Sequence, residues 1–356
     1  MNKECYIIAE AGVNHNGDLL LARELVDRAA EAGADAVKFQ TFDAKKLASP
    51  KAQKAGYQKQ TTAAGESQQD MLRKLELPRH WHQELRERAE SKGIDFLSTA
   101  FDQDSLDFLA SIGMPFYKVP SGEITNGPLL WRFARLRKPL VVSTGMATLS
   151  EVEQALAVIA HGFNEDAEPR HTDEIWQGWS RPEWRRSLQG RITLLHCTSQ
   201  YPTPMKEVNL SAMDTLRHSF GLPVGYSDHT EGLLIPVAAV ARGAVLLEKH
   251  FTLDRAMPGP DHRASLEPDQ LMLMIREIRA ITLALGDGSK CPQDSEWDTR
   301  IAARQQVVVT RDIRAGETFY RTDLSTARNG HGIPPIALWG LIGTTAARDY
   351  QCGDAV

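Results

Sequence analysis

Apolar residues along this chain gather in short runs that alternate with longer segments of helical period. The runs "YIIAE" (6–10), "AVKFQT" (36–41), "DFLSTA" (95–100), "FYKVPS" (116–121), "LVVSTG" (140–145), "ITLLHCTS" (192–199), "PVGYSD" (223–228) and "VLLEKHF" (245–251) are of strand length and rich in β-branched residues. Between them, "LLLARELVDRAAEAG" (19–33), "HWHQELRERAESKG" (80–93) and "LSEVEQALAVIAHG" (149–162) read as amphipathic helices that end in glycine. Eight strand–helix units in series, close to the about 250 residues usual for the architecture, predict an α/β fold of the (β/α)8, or TIM-barrel, type over residues 1–286. A doubly wound sheet is the weaker option.

Two of these runs end alike: Val224 leads into Ser227, Asp228 and His229, and Leu246 and Leu247 lead into Glu248, Lys249 and His250. In a (β/α)8 barrel the chemistry sits where strands end. The other endings are Glu10 with Asn14, Lys38 with Gln40, Ser98 with Thr99, Lys118 with Ser121 and Glu123, Ser143 with Thr144, and Thr198 with Tyr201. Buried polar groups at the same end of every strand are costly unless paired or coordinated.

His229 and His250, on neighbouring strand ends with Asp228, Glu248 and Asp261 near in sequence, point to one divalent cation with open coordination positions. The alternative is two hydrogen-bonded core histidines. Two imidazoles without thiolates suit Mn²⁺ or Mg²⁺ better than a closed zinc site. Lys38 and Lys118 amid Thr99, Ser121, Tyr201 and Ser227 suit a phosphate, although either lysine can instead pair with Glu10 or Glu123. A phosphate pocket beside a carbonyl-polarising metal describes carbon–carbon bond formation between a phosphorylated enol and an aldehyde.

The rest of the chain narrows the class. A formal net charge of −5 and a pI near 6.1 argue against a nucleic-acid or polybasic membrane surface and favour a small-molecule partner. "MNKECYIIAEAG" has no apolar run of signal-peptide length, and no segment approaches the ~20 apolar residues of a membrane span, so a cytoplasmic location is expected. The cysteines at 5, 197, 291 and 352 form no CxxC pair and read as reduced thiols. Residues 287–300 read as a linker, and 301–356 as a small, mostly β module that leans on a partner surface. The Trp-bearing stretch 164–190 reads as a polar loop at the far end of the barrel, where its tryptophans make a packing or subunit contact.

The stretches "IIAEAGVNHNGDLLLARELVDRAAEAGADAVKFQTF", "STAFDQDSLDFL", "YKVPSGEITN", "STGMATLSEV", "HCTSQYPTP", "GYSDHTEG" and "EKHFTLDRAMPGPDH" together resemble the sialic acid synthase family, and the tail resembles its antifreeze-like, or SAF, domain. The resemblance implies a (β/α)8 barrel, a domain-swapped homodimer, and condensation of phosphoenolpyruvate with an N-acetylmannosamine-type sugar. It implies His229 and His250 as metal ligands, with Mn²⁺ ahead of Mg²⁺ or Co²⁺. Lys38, Thr99, Lys118, Ser121, Tyr201 and Ser227 then surround phosphoenolpyruvate, with Gln40 and Ser199 on the substrate side. Glu10, Glu248 and Asp261 face the sugar and the reacting carbons, Glu10 handling the attacking water, and Arg328 reaches the partner's site. N-acetylmannosamine is the first expected acceptor. A 2,4-diacetamido-2,4,6-trideoxymannose giving N,N'-diacetyllegionaminate is the alternative, and the pseudaminate branch comes last. The segment "YQKQTTAAGESQQDM" (57–71) is expected to reach the acceptor. From other classes, a metal-dependent barrel hydrolase would use the same histidines without needing the lysines, and a surface-binding tail would leave the strand ends unexplained.

Overall fold

The computed structural model of the chain describes residues 4–56, 58, 62 and 65–356. Residues 1–3 of the N-terminal reading, and 57, 59–61, 63 and 64 of the segment expected near the acceptor, lie outside the described residues. The chain divides into two compact units, Met1–Asp287 and Gly288–Val356.

In the first unit the eight apolar runs are eight parallel strands: β1 (Tyr6–Gly12), β2 (Ala36–Thr41), β3 (Asp95–Ala100), β4 (Tyr117–Val119), β5 (Leu140–Ser143), β6 (Ile192–His196), β7 (Val224–Asp228) and β8 (Leu246–His250). They follow the order β3-β2-β1-β8-β7-β6-β5-β4, and β3 and β4 lie against each other, which brings the sheet round on itself. Helices between the strands cover the outside. Strands buried on both faces have little room for alternation, which is why they read as continuous apolar runs until their ends.

The helices start where local chemistry dictates. Asp18 Oδ1 accepts from Leu20 N at 2.7 Å at the head of helix Leu19–Glu31, and Thr148 and Glu151 form a capping box on helix Leu149–Asn164. That second helix does not stop at Gly162, as the sequence suggests. It runs through, because Gly162 is where the neighbouring helix Gly127–Arg135 comes closest: a Cβ there would lie 2.6 Å from Ala134 Cβ.

The stretch expected as a polar loop is largely helical, at Thr172–Trp179 and Pro182–Arg186. Trp184 is buried, edge-on to His161 at 5.4 Å, and Trp179 Nε1 donates to Glu153 Oε1 at 2.9 Å. Two of the three tryptophans therefore pack on helix Leu149–Asn164, while Trp176 is 37% exposed.

In the second unit β9 (Gln305–Val309) pairs antiparallel with β10 (Leu324–Arg328), placing Arg328 opposite Gln305. Its core consists of Val307, Val309, Ile313, Phe319, Leu324, Leu338, Ala346 and Tyr350. The stretch expected as a linker carries a helix, Trp297–Ala303. All four cysteines are free, and among the described residues no helix is long and apolar enough to cross a membrane.

Candidate active site

The C-terminal strand ends open onto a cavity of about 440 Å³, lined by every residue assigned above to the metal, phosphoenolpyruvate or the sugar except Arg328, which lies in the second unit. β1 reaches this cavity through a bulge: Glu10 pairs with Lys38, the register then slips, and Gly12 pairs with Phe39. Gly12 takes φ +53°, and a Cβ on it would sit 3.4 Å from Glu10 Oε1, Gln40 Nε2 and His250 Cε1. The bulge lets β1 present Glu10 inward while its backbone turns away.

Four buried charges hold the centre. Lys38 Nζ pairs with Glu10 Oε2, lies 3.3 Å from Glu248 Oε2 and donates to Thr99 Oγ1 at 3.0 Å. Lys118 Nζ lies 2.5 Å from Glu248 Oε1, which also accepts from Ser227 Oγ at 2.8 Å. Gln40 Nε2 donates to Glu10 Oε1 at 3.2 Å. Burial pushes both carboxyls up. For Glu248 the charges of Lys118 and Lys38 overcome it and hold the group well below the usual carboxylate range. Glu10 stays raised, because burial outweighs Lys38 and the Glu248 charge adds to it. Two carboxylic groups pushed in opposite directions have different tasks available to them: Glu248 anchors cations, and Glu10 is the one poised to exchange a proton. Asp261, also buried at the cavity wall, is raised to about 7 by burial and then by Glu10.

The imidazoles of His229 and His250 stand with centroids 5.6 Å apart, and the Tyr201 ring lies 4.2 Å from the first and 5.7 Å from the second. His229 Nδ1 lies 2.7 Å from Thr198 O, so it carries the proton and donates, leaving the Nε2 lone pair, with Ser227 Oγ 3.5 Å away, available to a ligand. His250 Nδ1 is buried with no hydrogen-bond partner. Burial lowers His229 to about 4 and His250 well below the ordinary value, so both rings are neutral. Two neutral imidazoles side by side fit a divalent cation whose other positions go to water or substrate oxygens. Among the described residues no group of three or more His, Cys, Asp or Glu side chains is arranged to complete such a site. Asp228 in particular does not join it: its carboxylate is 2.5 Å from Lys249 Nζ and does not line the cavity.

Several strand-end polar groups are structural. Asn14 Nδ2 donates to Phe251 O, Thr144 Oγ1 to Leu195 O and Thr198 Oγ1 to Glu207 O, while Ser98 Oγ meets Thr41 Oγ1 at 2.7 Å. Glu123 accepts from Asn126, so both lysines pair elsewhere. Ser121 Oγ accepts from Gly145 N at 3.1 Å, and at Gly145 a Cβ would lie 2.4 Å from Ser199 Oγ; the hydroxyls pack too tightly for a side chain there.

Ser143, read from the sequence as a strand ending with no assigned role, has its Oγ buried without a partner at the cavity wall. One feature escaped the sequence-based site. The opposite wall is apolar, built by Val13, Phe42, Met71, Leu72, Leu75 and Phe101, with Gln58 and Gln68 alongside. Met71 and Leu75 are four apart on a helical pattern and read as ordinary packing.

Comparison with known proteins gives the family. The NeuB family model matches residues 25–290 and the SAF domain model residues 304–355. The N,N'-diacetyllegionaminic acid synthase of Campylobacter jejuni subsp. jejuni serotype O:2 is 47% identical over 98% of both chains. The enzyme of that name from Legionella pneumophila is 44% identical over 98% of this chain and 92% of its own. Among solved structures, the N-acetylneuraminic acid (sialic acid) synthetase of Leptospira borgpetersenii serovar Hardjo-bovis, in complex with citrate, is 34% identical with a TM-score of 0.66, covering 84% of this chain and 90% of that one. This chain belongs to the NeuB family and carries a SAF domain at its C-terminal end.

Proposed function

We propose that the protein is a phosphoenolpyruvate-dependent nonulosonic acid synthase that joins phosphoenolpyruvate to 2,4-diacetamido-2,4,6-trideoxymannose, giving N,N'-diacetyllegionaminate and phosphate. The carrying observation is the buried Lys38, Lys118, Glu10 and Glu248 network beside two neutral histidines. Lys38 and Lys118, with Thr99, Ser121, Ser199 and Ser227, receive the polyanionic enol phosphate, and Glu248, paired with both ammoniums, keeps them in place. Its C3 bonds to the open-chain sugar's C1, the aldehyde oxygen takes the proton that the raised Glu10 carboxyl holds, and C2 is left electron-poor. Water adds to C2, the Glu10 carboxylate so formed takes one of that water's protons, and the bond from C2 to the phosphate oxygen breaks as the other proton leaves with the phosphate and the ketone forms. A divalent cation, Mn²⁺ first, held by His229 and His250, polarises the aldehyde oxygen when bound.

N-acetylmannosamine, the first acceptor expected from the sequence, gives way to the 6-deoxy diacetamido sugar on two grounds. The relatives at 47% and 44% identity bear the legionaminic acid name. The wall of Phe42, Met71, Leu72 and Phe101 suits a C6 methyl and an acetamido methyl, since apolar groups gain by leaving water against it. Comparing kcat/KM on the two acceptors, with phosphoenolpyruvate and Mn²⁺, tests this. Preference for N-acetylmannosamine removes the acceptor assignment, and phosphate release without any acceptor removes the mechanism.

The reading includes a homodimer with exchanged SAF domains, in which Arg328 forks onto the sugar in the partner's barrel. Ile336 and Trp339, 77% and 69% exposed on a small unit, support an apolar contact of that kind. Phosphoenolpyruvate is a cytoplasmic metabolite, so we place the enzyme there.

A further inference from the structure

β7 and β8 are clasped on both faces. On the cavity face Ser227 and Glu248 are register partners, joined by the 2.8 Å hydrogen bond to Glu248 Oε1. One residue on, Asp228 and Lys249 are the next register pair, and strand alternation turns them to the opposite face. There Lys249 Nζ lies 2.5 Å from Asp228 Oδ2 and 2.5 Å from Thr230 O, and both charged side chains are 0% exposed. Thr230 Oγ1 donates to the same carboxylate at 3.0 Å and Thr230 N at 3.2 Å. The turn carrying His229 is thus bonded on both sides, through Asp228 and Thr230, to one ammonium. That ammonium belongs to the residue between Glu248 and His250.

Neither Asp228 nor Lys249 lines the cavity. A fully buried ion pair loses several kcal/mol of hydration per ion, and well-packed apolar residues of similar volume generally stabilise a fold as well or better. Stability alone therefore gives little reason for this pair. What the pair does supply is geometry, because it ties the His229 turn directly to the strand end that carries the second imidazole.

We propose that Asp228 and Lys249 are positioning residues, whose buried pair locks the His229 turn onto β8 and so sets the separation of the His229 and His250 rings. The consequence for a bound cation rests on the metal reading above; the positioning itself does not. Similar supporting contacts around metal ligands are worth about 10–100-fold in metal affinity.

The test is the double variant Asp228→Leu/Lys249→Met, which removes both charges and keeps the volume. Two readouts are taken without substrates: Mn²⁺ affinity, from the electron paramagnetic resonance of the free ion, and exchange of the His229 Nδ1 proton, from its side-chain ¹H–¹⁵N signal. The expected result is a folded protein with Mn²⁺ affinity at least about tenfold weaker and a rapidly exchanging His229 proton. A merely structural pair would lower Tm and leave both readouts alone; Mn²⁺ affinity within twofold of wild type with a protected proton overturns the proposal. If wild type itself binds no Mn²⁺, the cation reading fails, and the proton signal still decides the positioning role. Should the double variant not fold, Asp228→Asn keeps the size and an acceptor oxygen but removes the ion pair, and unchanged readouts in it are equally fatal.

Discussion

Lys118 Nζ on β4 and Glu248 Oε1 on β8, 130 positions apart in the chain, meet at 2.5 Å across the barrel mouth. The same carboxylate also holds Lys38 and Ser227, so a single acidic side chain organises the cationic half of the cavity.

Truncating one of those cations separates binding from turnover. Lys118→Ala leaves Glu248 paired with Lys38, so the network survives while one phosphate contact is lost. A hydrogen bond to a charged group contributes about 1.5–3 kcal/mol, so KM for phosphoenolpyruvate is expected to rise roughly 10- to 100-fold, more than kcat falls. Steady-state kinetics with the sugar saturating checks this, and an unchanged KM moves the phosphate elsewhere.

Acid should destabilise the barrel through its buried histidines. His15, His82 and His262, none of them in the cavity wall, are each lowered by burial to about 4. Unfolded, they titrate near about 6.5. Between those values the unfolded chain binds protons that the folded chain excludes, so their stabilisation is complete above pH 6.5 and is lost as pH falls through 4. Three such groups give a slope of up to about 4 kcal/mol per pH unit at about 1.36 each. Denaturant unfolding across that window measures it, and His82→Gln should lower the slope by one proton's worth; an unchanged slope in that variant means that His82 is protonated in the native protein.

How far these features could be read from the sequence varied with how local their causes are. Every barrel strand was visible, since a parallel strand buried on both faces must be apolar by itself. Glu10, Lys38, Glu248 and the histidine pair stood out because each ends such a run. Asp228 misled for the same reason: it sits beside His229, yet strand alternation turns it to Lys249. Gly162 carries the usual signal for a helix end, and only the approach of Ala134 explains it as a contact inside a helix. The apolar cavity wall was hidden because Phe42, Met71 and Phe101 come from three separate loops or helices and look like core.

Trp184 gives the 164–190 stretch a role that kinetics and stability can separate. Its ring is buried on His161, and a Cβ at Gly178 would lie 1.9 Å from it, so the site is closely packed. Trp184→Ala is expected to cost about 3–5 kcal/mol of stability while kcat/KM at 25 °C stays within about twofold, because the residue is absent from the cavity wall. Loss of activity with Tm preserved would place the stretch in the reaction after all.

Arg328 offers the sharpest test of the proposed dimer. It ends β10 opposite Gln305, exposed, on a unit whose core has eight buried apolar side chains. If its guanidinium serves the partner's barrel, Arg328→Ala and His229→Ala each inactivate a pure dimer by damaging different halves of the same site. Mixing the two variants and refolding them together then creates dimers with one doubly damaged site and one intact site. Random pairing makes about half the dimers mixed, so about a quarter of all sites should be wild type and the mixture should regain about a quarter of the activity. An arginine that acts on its own barrel leaves every site in every dimer damaged. Verified mixed dimers without recovered activity would therefore reject the exchange of domains and leave the barrel chemistry untouched.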